Sequence, residues 1–151
     1  MTLTEHFVAR RNEAVPGPWQ VLAGADRTGG SVMFGEARLP GRTPGPGLHV
    51  HTREDEAVFI MSGVVTFVVG DRRFRAGAGE LVWLPRELPH TFANLDDEPA
   101  WAFGTTTPAG LGACSRSRRI TSRVSRDPQT PSEPQRSARG TASGPWDRHS
   151  T

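Results

Sequence analysis

The sequence predicts an all-β domain that ends near residue 110 and continues into a tail without a core. Three observations carry this. From Trp19 to Thr105, nine short runs rich in β-branched, aromatic and aliphatic residues recur between Gly, Pro or Asp clusters, the pattern of a sandwich or barrel. Before them, only residues 3–13 have the spacing of a short helix. After Leu111 the apolar periodicity stops.

In order, the expected strands are Trp19–Leu22, Ser31–Leu39, Leu48–His51, Glu56–Met61, Val64–Val69, Arg72–Arg75, Glu80–Leu84, His90–Asn94 and Ala100–Thr105. The separators are Gly29-Gly30, Pro44-Gly45-Pro46-Gly47, Ser62-Gly63, Gly70-Asp71, Gly77-Ala78-Gly79, Pro85 and Asp96-Asp97, each a turn former or a strand breaker. Val64, Phe67, Phe74, Trp83, Phe92, Trp101 and Phe103 are the expected large core residues, some of them at the barrel mouth. No repeat of fixed period is present. The chain thus divides into an N-terminal segment (1–18), the β domain (19–110) and an Arg/Ser/Pro-rich tail (111–151).

The tail has eight apolar residues in its forty-one positions, too few to offset the entropy of ordering it, so disorder is expected there. With suitable codons its other frame would begin Met-Phe-Ala-Glu-Gln-Ala-Asp-Tyr-Leu-Ala near Ala113, a string with helical character, which makes the tail a candidate frameshift product.

Charge must be split at the same place. All 18 basic residues are arginine. Residues 1–110 carry 10 Arg against 13 acids, and residues 111–151 carry 8 Arg against 3. The basic balance therefore belongs to the tail. The folded part is mildly acidic, and no nucleic-acid partner is expected. The single cysteine, Cys114, excludes a disulfide framework. It lies in the tail with no base near it in sequence, so no nucleophilic role is expected. The N-terminus lacks a signal-peptide apolar region, and the longest apolar run, Val64–Val69, is far too short to span a bilayer. A cytoplasmic protein without a membrane partner is the expectation.

Four side chains stand out. His49 and His51, two apart in an expected strand, face one way. A carboxylate follows at Glu54, Asp55 or Glu56, and His90 comes about forty residues later, after Pro89. Three imidazoles and a carboxylate suit a divalent transition metal such as Fe, Mn, Ni, Co, Cu or Zn. A lone His-x-His in a strand is more often a packed or surface pair, so the case rests on the combined spacing. His6 and His149 lie in terminal segments and are read as solvated. Arg38, Arg53 and Arg86 are the cations that could meet an anionic substrate, with ordinary surface solvation the simpler reading.

The run HVHTREDEAVFIMSG sets His49, His51, Glu56 and Gly63 at fixed intervals, and GELVWLPRELPHTFAN does the same for Gly79, Pro85, His90 and Asn94. Together they resemble the two motifs of the cupin superfamily, over about residues 30–105. The resemblance implies a small antiparallel jelly-roll β-barrel with a metal held by residues matching His49, His51, Glu56 and His90. Glu56 is preferred to its acidic neighbours because its interval to Gly63 fits the motif. Two positions depart from the family pattern: Thr43 and Glu87 stand where glycine is usual, and at Glu87 a turn that calls for φ > 0 carries a side chain.

Among single-domain cupins the two runs look most like the quercetin-dioxygenase-like group. That likeness implies a metal-dependent oxidoreductase, a dioxygenase acting with O2 on a small aromatic or enolic substrate, with Glu56 both ligand and catalytic base. A non-catalytic small-molecule-binding cupin and a cupin isomerase or polyketide cyclase are the alternatives, since fold does not settle function. Likeness to small cupins also implies a homodimer, with Ser31–Leu39 as the expected pairing edge.

Overall fold

The structure is a computed structural model that describes residues 6–110. The expectations for 111–151, including Cys114 and His149, lie outside the described residues. Eight strands form: β1 (Trp19–Ala23), β2 (Met33–Leu39), β3 (Asp55–Ser62), β4 (Val64–Val69), β5 (Arg72–Gly77), β6 (Leu81–Leu84), β7 (His90–Ala93) and β8 (Ala100–Thr107). One helical turn, α1 (Ala25–Thr28), follows β1. β3, β6 and β8 read as runs of alternating burial. In β3, Glu56, Val58 and Ile60 turn inward, and in β6, Val82 and Leu84 do, because successive side chains of a strand point to opposite faces.

The strands assemble into a five-stranded sheet, β1-β2-β8-β3-β6, and a three-stranded sheet, β5-β4-β7, antiparallel throughout. Their inner faces meet over one core. Leu39, Val58, Ile60, Leu84 and Ala102 come from the larger sheet, and Val65 and Phe67 from the smaller. Phe67, fully buried, has its ring 5.7 Å from Phe74 and 5.8 Å from Phe92. This is jelly-roll architecture in which hydrogen-bonded ladders do not close the two sheets into a complete barrel.

Asn94 ties the end of β7 to two other segments. Its buried Nδ2 donates to the carbonyls of Leu39 (3.1 Å), Pro40 (3.0 Å) and Glu98 (2.8 Å), and its Oδ1 accepts from the Asp96 N–H (3.1 Å). At Gly63 the chain reverses from β3 into β4 with φ 73°, a conformation costly for any residue with a Cβ.

Several expectations are corrected. Leu48–His51 forms no strand; it makes one isolated bridge, His49 with His90. Pro44 and Pro46 just before it supply no N–H donors, so a longer ladder cannot grow on that side. Residues 6–13 form no helix. Their charged side chains reach β2 instead, Arg11 to Glu36 and Glu13 to Arg38, so tertiary partners override a weak local preference. Trp83 and Trp101 are not core: Val82, Leu84, Ala100 and Ala102 face inward, so parity turns both indoles outward, 54% and 42% exposed. Nor is the Ser31–Leu39 segment an edge, since β2 is hydrogen-bonded to β1 on one side and β8 on the other. α1 has no counterpart in the sequence reading. Among the described residues, no helix is long and apolar enough to cross a membrane.

Candidate metal centre

Three segments bring His49, His51, Glu56 and His90 together. The loop before β3 carries His49 and His51, the start of β3 carries Glu56, and the start of β7 carries His90. Backbone bonds lock them in place. His49 N–H donates to His90 O at 3.1 Å, and His90 N–H donates back to His49 O at 2.8 Å. The Glu87 N–H donates to His51 O at 2.7 Å. Glu87 itself has φ 64°, so the turn keeps the left-handed geometry expected there although a side chain replaces glycine. Arg86 and Asp55 brace the same turn: Arg86 Nη2 meets Asp55 Oδ2 at 2.6 Å, and the Arg86 backbone N–H donates to Asp55 Oδ1 at 2.9 Å. That bonding holds the Asp55 carboxyl down at about 2.

One ligand atom from each of the four residues lies within 4.8 Å of the others, close to the spread of donors around one ion bound at about 2.1 Å. The three rings sit with centroids 4.6–5.1 Å apart. Glu56 Oε2 is 3.4 Å from both His51 Nε2 and His90 Nε2. His51, Glu56 and His90 are buried. Glu54 and Asp55 stand outside the cluster: Glu54 is buried beside Gly110, and Asp55 faces Arg86.

The chemistry of the donors tests whether a metal fits. His49 Nδ1 bonds Gly47 O at 2.8 Å, and His90 Nδ1 bonds Leu88 O at 2.9 Å. A carbonyl only accepts, so each Nδ1 carries the proton and each Nε2 keeps its lone pair. His90 Nε2 and both ring nitrogens of His51 are buried without a hydrogen-bond partner. Buried polar atoms left in that state are rare and costly. Burial would raise the Glu56 carboxyl, yet the two adjacent imidazoles, when they carry a proton on Nε2, outweigh it and bring it down to about 2; a bound cation would supply that positive charge in place of the protons. Burial also pushes the His49 imidazole below its ordinary value. An ionised carboxylate and imidazoles offering lone pairs are what a divalent transition metal binds, so the four residues fit one.

The cluster opens on a cavity of about 510 Å³ whose walls include Trp19, Leu39, Phe92 and the Pro44–Gly47 loop, within the size range of small-molecule sites. The sequence places Phe92 at the core or mouth, Pro44–Gly47 as the turn that holds the ligands before His49, and Trp19 only as the start of a strand. Arg38, Arg53 and Arg86 do not line the cavity. Arg38 is engaged with Glu36 at 2.9 Å and Glu13 at 3.1 Å, Arg86 with Asp55, and Arg53 is exposed.

Two facing antiparallel sheets with a largely buried three-histidine, one-glutamate cluster define a class: small jelly-roll domains with a candidate metal centre. Residues 35–103 match the family described as Cupin domain. No curated protein sequence matches the chain. Solved structures share the fold. A Cupin 2 conserved barrel domain protein from Salinispora arenicola is 20% identical with a TM-score of 0.58, covering 70% of this chain and 92% of that one. A protein from Thermotoga maritima, described as a predicted oxalate decarboxylase, is 19% identical with a TM-score of 0.56, covering 60% and 78%. A cupin from Silicibacter pomeroyi, described as a sugar phosphate isomerase, is 22% identical with a TM-score of 0.52, covering 60% and 59%.

Proposed function

We propose that this protein is a metal-dependent dioxygenase of small aromatic or enolic molecules. The observation that carries the reading is a His49–His51–Glu56–His90 cluster opening on a cavity with apolar walls. His49, His51, Glu56 and His90 would hold one divalent metal, which when bound supplies Lewis acidity and redox chemistry. Glu56, ionised and buried, accepts the proton of a substrate hydroxyl. Trp19, Leu39 and Phe92 exclude water from the reacting group, which strengthens every electrostatic interaction there.

The activities named for the Thermotoga and Silicibacter structures would each bring a strongly anionic substrate. Among the described residues no arginine lines this cavity to receive one, which favours an uncharged organic substrate. The test is oxygen uptake by metal-reconstituted protein with a flavonol. Uptake in proportion to product, abolished in Glu56→Gln, is expected. Saturable flavonol binding without oxygen consumption for any of the six metals would overturn the reading in favour of a binding cupin.

Homodimerisation belongs to the same proposal, on a different surface from the one expected. The outer face of the five-stranded sheet carries Phe59, Met61, Leu81, Trp83 and Trp101, all exposed. With about 150–250 Å² per aromatic side chain, their open parts come to roughly 500 Å². That matches the apolar share of a homodimer interface burying about 800 Å² per partner.

A further inference from the structure

We propose that Trp19 determines the ligand specificity of the cavity, by presenting a fixed indole wall against which an uncharged, planar ring stacks. The inference rests on the small-molecule reading of this site but not on turnover.

It starts from two glycines. Gly35 of β2 and Gly104 of β8 are direct partners in the ladder, in the interior of their strands. Glycine weakens a strand, and a facing pair calls for something that approaches both backbones closely. Here it is the indole of Trp19. A Cβ on Gly104 would lie 2.7 Å from the ring, and one on Gly35 would overlap it. Next along the ladder, Ala37 faces Ala102, both buried. Gly35, Ala37, Ala102 and Gly104 thus make a floor of minimal side chains on which a ring anchored at the start of β1 can lie.

The berth leaves part of the indole facing the cavity. Trp19 is only partly buried, and it lines the same cavity as His49, His51 and Glu56. Phe92, held against Phe67 at 5.8 Å, lines it from the three-stranded sheet. Each sheet therefore contributes one aromatic wall. Both rings have little freedom left to lose when a ligand packs against them, which favours binding. A flat ring can use offset-stacked or edge-to-face contacts that a saturated ring of equal size cannot. Among the described residues that line the cavity, Glu56 is the one acid and none is Lys or Arg, so the walls themselves add no cation beside the metal.

The experiment uses the full chain loaded with zinc, which is redox-silent, and two probes: naphthol and decahydronaphthol. Affinity is read by calorimetry, alongside zinc content. The proposal expects naphthol to bind about tenfold more tightly than decahydronaphthol. Trp19→Ala should abolish the preference for the flat ring, Trp19→Phe should keep most of it, and zinc content should not change in either. Gly104→Ala, which displaces the indole without touching a cluster residue, should erode the same preference. Trp19→Leu, which still fills the berth, replaces Trp19→Ala if that variant does not fold. Equal affinity for flat and saturated probes, a preference unchanged without Trp19, or no naphthol binding at millimolar concentration would each overturn the proposal. Failure of the dioxygenase reading alone shows differently: the probe preference persists while redox-metal protein consumes no oxygen.

Discussion

Replacing His51 with leucine should do two opposite things. His51 is 2% exposed, and neither ring nitrogen has a hydrogen-bond partner. A neutral imidazole has one donor and one acceptor, and leaving each buried and unsatisfied costs about 1–3 kcal/mol. Leucine fills a similar volume without polar atoms. Imperfect shape, lost ring contacts and the loss of one imidazole beside the buried Glu56 carboxylate return part of the gain, so metal-free His51→Leu should be more stable than metal-free wild type by about 1 kcal/mol. In a domain of this size that raises the melting midpoint by about 5 °C per kcal/mol. Metal should act the other way. At a free concentration about 100 times Kd it stabilises the wild type by about 2.7 kcal/mol, whereas the variant, short of one ligand, should gain little. The assay is urea denaturation of chelator-dialysed protein at about pH 8, where imidazoles are neutral, with and without added metal. A metal-free variant less stable than wild type, or equal metal stabilisation of both, would refute the reasoning. The site would then be ordinary packing, not a ligand set held at the expense of stability.

Three further outcomes follow from the same geometry. Asn94→Ala strips partners from three carbonyls and one N–H; a loss of about 2–4 kcal/mol in urea denaturation is expected, and less than about 1 kcal/mol would mean that water replaces the amide. The Asp55 carboxyl lies at about 2, below its ordinary 3.8, because of Arg86. The pair's stabilisation should thus be complete above pH 3.8 and disappear as pH falls through about 2; in Arg86→Ala, NMR titration should find Asp55 back near its ordinary value. Light scattering should give a dimer for the wild type and a monomer for Leu81→Glu/Trp83→Glu, while a wild-type monomer at micromolar concentration would remove the homodimer from the proposal.

Which parts of this were legible in the sequence follows from how local their causes are. β3 and β8 were readable because alternation is written residue by residue; in β3 it puts Glu56, Val58 and Ile60 on one face, which turns inward. The same parity argument, applied to Val82–Leu84 and Ala100–Ala102, would have turned Trp83 and Trp101 outward; aromatic bulk was weighted over alternation. The four cluster residues could be named from their intervals, since a two-residue step in an extended segment fixes a common face. What brings His90 to His49, however, is one cross-chain bridge with no local signature. The N-terminal segment was misread because its ion pairs with Glu36 and Arg38 are tertiary. The cavity wall at Trp19 was invisible for a similar reason. Gly35 and Gly104 lie inside two separate expected strands, and only the register sets them opposite each other.

The most direct test of the central claim is metal content with the coordination read beside it. Purified protein, stripped and reloaded with a divalent transition metal, should hold one equivalent per chain, and X-ray absorption should report three imidazole nitrogens and a carboxylate oxygen at about 2.0–2.2 Å. His49→Ala, His51→Ala and His90→Ala should each lower the content sharply. Stoichiometric metal that survives all three substitutions, or no specific binding of any of the six metals to the wild type, would contradict the account.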